Sequence, residues 1–360
     1  MLSRRNSLRH DDVLRRFQLG FEGTSLPRGL ANLLARGLTG VIIYQRNYRG
    51  AAELRALTAE IRRVAARPVL IGIDQEGGTR FALKEPFTIW PSPAELGRIG
   101  DVRLVERVAR AMALELRSAG CNLDFAPMLD LHINPESPVT NDRSFGSDPH
   151  RVAQIGAAFI RGLGEAHVLA CAKHYPGHGD AAVDPHLDLP VFGGTASRLD
   201  SFELVPFAAA ARENVPLIMT AHILLPQIDP ERPASLSRRM LSEVLRERMG
   251  FSGVILADDL GMGAIAKRHG SGEAAIETFV AGTDIAMLCH DWTAVGPAIE
   301  AVKQACDAGR FVESEWNASL DRIEAACSAT VAAYSPQPPI EVIGCVEHHE
   351  LEKEIRARLK

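Results

Sequence analysis

Eight short apolar segments, each trailed by a longer stretch of helical period, constrain the fold of this chain more than any other feature. They are FQLGF (17–21), GVIIY (40–44), VLIGI (69–73), NLDFA (122–126), VLACA (168–172), PLIMT (216–220), GVILA (253–257) and DIAML (284–288). Each is apolar nearly throughout, the pattern of a parallel strand covered on both faces. Helical spacing is clearest at 51–65, 101–120, 151–166, 201–213, 237–250 and 292–309. In the first of these Leu54, Leu57 and Ile61 share one face while Arg and Glu occupy the other. Gly120, Gly250 and Gly309 stand just past helical runs, where a helix is expected to stop. Eight strand–helix repeats predict a (β/α)8 TIM-type barrel, for which about 250 residues suffice. The competing open, doubly wound sheet needs a topological switch point, and no segment supplies one.

Polar residues follow these strands in a repeated way. Glu22, Asp74, Asp130, Lys173, His222 and Asp258 all stand at or just past a strand's C-terminal end. A barrel gathers those ends on one rim, where catalytic residues of this fold sit. The expected organisation is an N-terminal tail (1–11), one catalytic barrel (12–334) and a C-terminal extension (335–360). The proline-dense SPQPP (335–339) marks the last boundary, and a strand-like piece and a helix are expected beyond it. His348 and His349 in that extension read as surface residues.

Charge and composition narrow the function classes. A net charge of −5 and a pI near 6.2 give no basic field to attract nucleic acid. No apolar run approaches the length of a membrane span. Met1-Leu2-Ser3 is followed by charges rather than by the apolar core of a secretory signal. The six cysteines form no CxxC pair, which favours reduced thiols and a cytoplasmic location.

The chemistry concentrates in KHYPGHGDAAVDPHLDLP (173–190), where Lys173, His174, His178, Asp180, Asp184, His186 and Asp188 share one Gly/Pro-rich segment. Histidine changes charge near neutrality, and a carboxylate two residues away, as in Asp184-Pro185-His186, can orient the imidazole and stabilise its charged form. His174 and His178 are four apart, a zinc spacing on a helix, but Pro176 and Gly177 between them argue against helix and so against metal. His178 reads as a loop-organising residue. Downstream, Asp258-Asp259 closes the seventh apolar run; a carboxylate at a strand end can attack a glycosidic carbon. Successive residues of a strand point to opposite sides, so one of the pair should face a substrate. Asp74, before Glu76 and two glycines, can accept from a pair of sugar hydroxyls. Arg143, in the loop after the fourth strand, offers a planar, permanently charged donor. Gly261-Met262-Gly263 lacks the third glycine of a nucleotide-binding turn.

These residues, in this order, resemble the family 3 glycoside hydrolases, in their single-barrel β-N-acetylglucosaminidase branch. The matching pieces are YQRNY (44–48), DQEGG (74–78), FAPMLDL (125–131), RSFGSDP (143–149), KHYPGHGDAAVDPHLDLP, MTAHILLP (219–226), PASLSRRML (233–241), GVILADDLGM (253–262) and AGTDIAML (281–288). The resemblance spans roughly residues 12 to 330. It implies a retaining, exo-acting hydrolase that trims GlcNAc from muropeptide fragments of the cell wall. By the same resemblance Asp258 is the nucleophile and His186 the acid/base, held by Asp184. Asp74, Arg143, Lys173 and His174 would bind the terminal sugar, with Asp130 and His222 as rim supports. No metal or organic cofactor is implied, and the partner is a small carbohydrate; the oligomeric state is not fixed.

Three departures from the family pattern stand out, at four positions. The arginine expected four residues after the double glycine is Ala82 in an ungapped match, with Arg80 two positions earlier: either a remodelled loop lets Arg80 substitute, or one sugar contact is missing. Proline occupies position 185, where serine is common. The serines that flank the nucleophile motif are Ala257 and Gly261. Three other readings stand beside the lead: a phosphorylase of the same family, with phosphate attacking the intermediate; a non-catalytic sugar-binding barrel; and a metal-dependent hydrolase on the same barrel, which a chelator would inactivate.

Overall fold

The computed structural model describes residues 10–81, 83–334 and 336–360. All eight apolar segments become parallel strands: β1 (Phe17–Leu19), β2 (Gly40–Ile43), β3 (Leu70–Ile73), β4 (Leu123–Asp124), β5 (Leu169–Tyr175), β6 (Leu217–Thr220), β7 (Val254–Asp259) and β8 (Ile285–Leu288). They close in chain order, with β1 paired to both β2 and β8. Val41 lies opposite Ile71 and Ile255 opposite Ile218. The expected (β/α)8 barrel is therefore the fold.

Helices α1 (Arg28–Ala35), α2 (Ala51–Val64), α3 (Val102–Ala119), α4 (Pro149–Glu165), α5 (Leu204–Arg212), α6 (Arg239–Arg248), α7 (Ser271–Ala281) and α8 (Trp292–Asp307) follow the strands in turn. Helix α9 (Glu313–Ala329) comes next. Local chemistry sets their ends. The Asp101 carboxylate accepts from the Arg103 and Leu104 N–H groups to start α3. Gly120 stops it with a φ of +87°, where a Cβ would meet Thr58 Oγ1 at 2.1 Å. Helix α6 differs from the expected α-winding, taking the wider π form that ends with the Met249 N–H on the Val244 carbonyl. None of the helices among the described residues is long and apolar enough to cross a membrane.

The strand pleat separates two apolar layers. Ile42, Leu70, Leu123, Phe125, Leu217, Val254, Leu256 and Ile285 fill the barrel, while Val41, Ile71, Ile218 and Ile255 pack outward beneath the helices. At inward position 72 the residue is glycine, since a Cβ there would lie 2.4 Å from the Phe125 ring. This packed interior floors the rim at the strands' C-terminal ends.

The C-terminal extension departs from expectation in two ways. Its strand-like piece is a 3-10 turn at Ile340–Val342, followed by helix α10 (Val346–Arg358). His348 is not a surface residue. It is buried, with Nδ1 2.7 Å from Glu115 Oε1 on α3, and Leu351 and Ile355 enter the core beside it. Sequence patterning could not supply the partner, which stands 233 positions away.

Candidate active site

A cavity of about 630 Å³ opens on the rim, bordered by Asp74, Arg143, Lys173, His174, Asp184, His186 and Asp258 among others. Three of these arrive there by strand alternation. Asp74 continues the inward series Leu70, Gly72; Lys173 continues Leu169, Cys171; Asp258 continues Val254, Leu256. Asp259, one residue on, has its Oδ1 engaged by the Gly261 and Cys289 N–H groups at 3.0 and 3.1 Å. It ties the end of β7 to the end of β8. Asp258 accepts only the Asp259 N–H through Oδ1, so its Oδ2 has no hydrogen-bond partner among the described residues.

The two neighbouring carboxyls titrate in opposite directions. Burial pushes Asp258 up, but His174, His222, the Asp259 N–H and Lys173 outweigh it and hold the group below the usual carboxylate range. Burial and the adjacent Asp258 charge raise Asp259. The carboxyl held below the usual range is thus the one with a free oxygen.

A buried charge network also borders the cavity. Lys173 Nζ reaches Asp74 Oδ1 at 2.5 Å and Glu76 Oε1 at 2.6 Å. Arg143 grips Glu76 with two bonds, Nη2 to Oε1 at 2.7 Å and Nε to Oε2 at 2.9 Å. Burial opposes ionisation of Glu76, yet Arg143 and Lys173 together hold it far below the ordinary value. Asp74 keeps a third of its side chain open to the cavity, so the network presents both a carboxylate and cations to a ligand.

Below it, Asp130 organises two histidines. The His174 Nδ1 lies 2.7 Å from Asp130 Oδ2, while the His178 N–H donates to Oδ1 at 2.7 Å. A carboxylate only accepts, so His174 carries its proton on Nδ1 and turns Nε2 away from Asp130. The two rings meet edge to face at 5.6 Å. Burial keeps His178 neutral, pushed down to about 4. His222 is buried behind β7, with Nδ1 on Ser235 Oγ at 2.7 Å and Nε2 on the Asp259 carbonyl at 3.1 Å. The carbonyl requires a donor, which places the His222 proton on Nε2.

His186 sits on the loop after β5, its side chain exposed at the cavity mouth. Asp184 Oδ1 accepts from the His186 N–H at 2.9 Å and lies 2.8 Å from its Nδ1. The first bond closes an Asx turn around Pro185, whose fixed φ suits that turn. The proline that departs from the family pattern therefore stiffens the pair. With Nδ1–H committed to Asp184, Nε2 is the nitrogen left to give or take a proton.

Residues 15–326 match the family model described as the glycosyl hydrolase family 3 N-terminal domain. The chain belongs to glycoside hydrolase family 3. Its relatives include a β-hexosaminidase of Thiobacillus denitrificans, 38% identical over 257 residues, with 70% of this chain and 71% of that protein covered. Another, from Alkalilimnicola ehrlichii, is 38% identical over 288 residues, covering 78% and 82%. Among solved structures, a family 3 β-N-acetylglucosaminidase from Paenibacillus superposes with a TM-score of 0.93 at 34% identity, covering 98% of this chain and 68% of that one. NagZ from Neisseria gonorrhoeae, in complex with N-trifluoroacetyl-D-glucosamine, gives 0.77 at 28% identity, covering 96% and 98%. The chain is a glycoside hydrolase.

Within this family 3 barrel, seven of the eight site residues expected from sequence border one cavity. The eighth, Arg80, lies by its backbone on a short hairpin (Arg80–Phe81 against Gln75–Gly77), and its side chain is outside what is described. Ala82 also lies outside the described residues. Asp130 and His222 support from beneath rather than from the cavity wall. Glu22 does neither: it is exposed and paired with Arg46 at 2.9 Å. Two participants were not singled out in the sequence. Glu76 was visible in DQEGG but lacked its partners, and Tyr44, from YQRNY, borders the cavity with its ring 5.1 Å from His290.

Proposed function

We propose that this chain is a retaining exo-β-N-acetylglucosaminidase with Asp258 as nucleophile and His186, oriented by Asp184, as acid/base. The observation that carries the reading is the meeting, in one cavity, of an inward ionised carboxylate having a free oxygen and an imidazole whose Nδ1 is held by a second carboxylate. In the first step Asp258 attacks the anomeric carbon as the glycosidic bond breaks, and Nε2 of the imidazolium hands its proton to the departing oxygen. In the second, Nε2 takes a proton from water as that water's oxygen displaces Asp258. Asp74, Arg143, Lys173, His174 and Arg80 would hold the terminal sugar. A cavity floored by a packed barrel suits the end of a saccharide rather than its middle.

The acetamido preference is supported by relatives named β-hexosaminidase and by the neighbour that holds N-trifluoroacetyl-D-glucosamine. By the family resemblance we assign a GlcNAc-terminated muropeptide fragment as substrate. All six cysteines are free, in keeping with the reducing cytoplasm. The test is release of nitrophenol from para-nitrophenyl β-GlcNAc, with the β-glucoside as control. Asp258→Ala should lose activity by roughly a thousandfold or more. Equal turnover by the variant would remove the nucleophile assignment. Formation of sugar 1-phosphate in added phosphate would make the chain a phosphorylase, and release from neither sugar by the folded protein would leave a binding barrel.

A further inference from the structure

We propose that the loop bearing His186 is clamped to the segment that follows Asp258, and that Gly263 and the Asp188–Arg268 pair position the acid/base for the glycosylation step; this rests on the reading of His186 given above. The middle of the loop touches that segment at three points. Gly263 N–H donates to the His186 carbonyl at 3.1 Å, and Ala264 N–H to the Pro185 carbonyl at 3.0 Å. Arg268 Nη2 donates to Asp188 Oδ1 at 2.8 Å, with Lys267 Nζ 3.7 Å from Oδ2. The Asp184 carbonyl accepts from the Leu187 and Asp188 N–H groups, so residues 184–188 form one compact turn.

Gly263 is a glycine for reasons of approach. Its φ lies outside the left-handed region, yet a Cβ there would sit 2.6 Å from both the His186 and the Leu187 carbonyl oxygens. The loop comes to rest on its bare Cα. Apolar burial does little to hold the loop, since Val183, Leu187 and Val191 are 40%, 68% and 52% exposed. Polar contacts to residues 263–268 therefore carry most of the positioning. They also link the acid/base to the nucleophile through a short stretch of backbone, Gly263 standing five positions after Asp258. Misplacement of a catalytic group by about 1 Å is enough to slow a reaction substantially.

The test measures kcat/KM for a series of aryl β-GlcNAc glycosides with leaving groups from dinitrophenol to phenol, plus a disaccharide. Poor leaving groups need the acid and good ones do not. Gly263→Ala should lose roughly tenfold or more on the poorest leaving groups and under about threefold on the dinitrophenyl glycoside. Arg268→Glu should lose about fivefold on the poor leaving groups, the scale of one exposed ion pair, while Arg268→Lys stays near native. Arg268 is at the surface, so its variants test the clamp even if Gly263→Ala folds poorly. His186→Ala, run alongside, must steepen the dependence on leaving group. If it does and the clamp variants parallel the native enzyme, the clamp is refuted and the acid assignment stands. If His186→Ala itself leaves the dependence unchanged, the acid assignment fails and the clamp with it.

Discussion

Replacing Glu76 with glutamine tests the buried charge network at its centre. Glu76 is almost fully buried, bonded twice by Arg143 and once by Lys173. Glutamine keeps the shape and one acceptor but removes the charge that both cations face. Breaking a buried pair costs about 3–5 kcal/mol. The lower end applies, because Lys173 retains Asp74 and Arg143 retains the Val139 carbonyl. For 360 residues the unfolding entropy is about 0.76 kcal/mol/K, so ~3 kcal/mol corresponds to a Tm lower by roughly 4 °C. The folded pKa of Glu76 lies below its unfolded value. Its stabilisation is therefore complete above the unfolded pKa, near 4.3, and is lost as pH falls below it at up to about 1.4 kcal/mol per pH unit. The native-minus-variant gap in Tm, read by scanning fluorimetry, should be constant from pH 7 to pH 5 and shrink by about half near pH 3.3. A gap that persists unchanged into acid would refute the ionised, doubly paired carboxylate.

Two further outcomes are expected. The His178 ring should remain neutral until the pH nears 4, because burial is the dominant cause of its lowered pKa; a midpoint near 6.5 in an NMR titration would mean the ring is solvated. That depression also makes the native state lose stability as pH falls from about 6.5 towards 4, since the unfolded chain takes up the proton first. His348→Ala should loosen helix α10 on α3, costing about 1–2 kcal/mol through the lost bond to Glu115, whose carboxylate keeps the Thr88 and Gly344 donors. Amide exchange over 346–358 should accelerate while kcat/KM is unchanged, and unaltered exchange would show that Leu351, Ile355 and the ion pairs of Arg356 with Glu95 and Arg358 with Asp101 hold the helix without His348.

Much of this site was legible before the structure because barrel strands obey a period of two. Once β7 is placed, Asp258 follows Leu256 into the barrel, and the same rule sends Asp74 and Lys173 inward; Asp259, past a register shift in β7, borders the cavity as well, and only its bonds to the Gly261 and Cys289 N–H groups set it apart. The Asp184–His186 pair was legible for a different reason: its spacing of two is the spacing of an Asx turn, a contact made within the loop itself. Local periodicity and local turns are written in neighbouring residues.

What escaped the sequence depends on partners far along the chain. Glu22 follows its strand as regularly as Asp74 does, yet it lies outside the cavity with Arg46, because the path of a loop past a strand end has no period to read. Glu76 stood in plain view, but its charge is kept by Arg143, 67 positions on, and by Lys173. His348 looked like a surface residue in a charged tail until α10 packed on α3 and brought it to Glu115. Gly263 looked like half of a weak nucleotide turn, and only the His186 loop resting on it shows why no side chain fits. The sequence by itself determined the barrel, its strands and the inward carboxylates, since these follow from hydrophobic period and chain order. Only the tertiary structure decided which charges are paired and which loop rests on which turn, because those depend on distances between segments that no local pattern encodes.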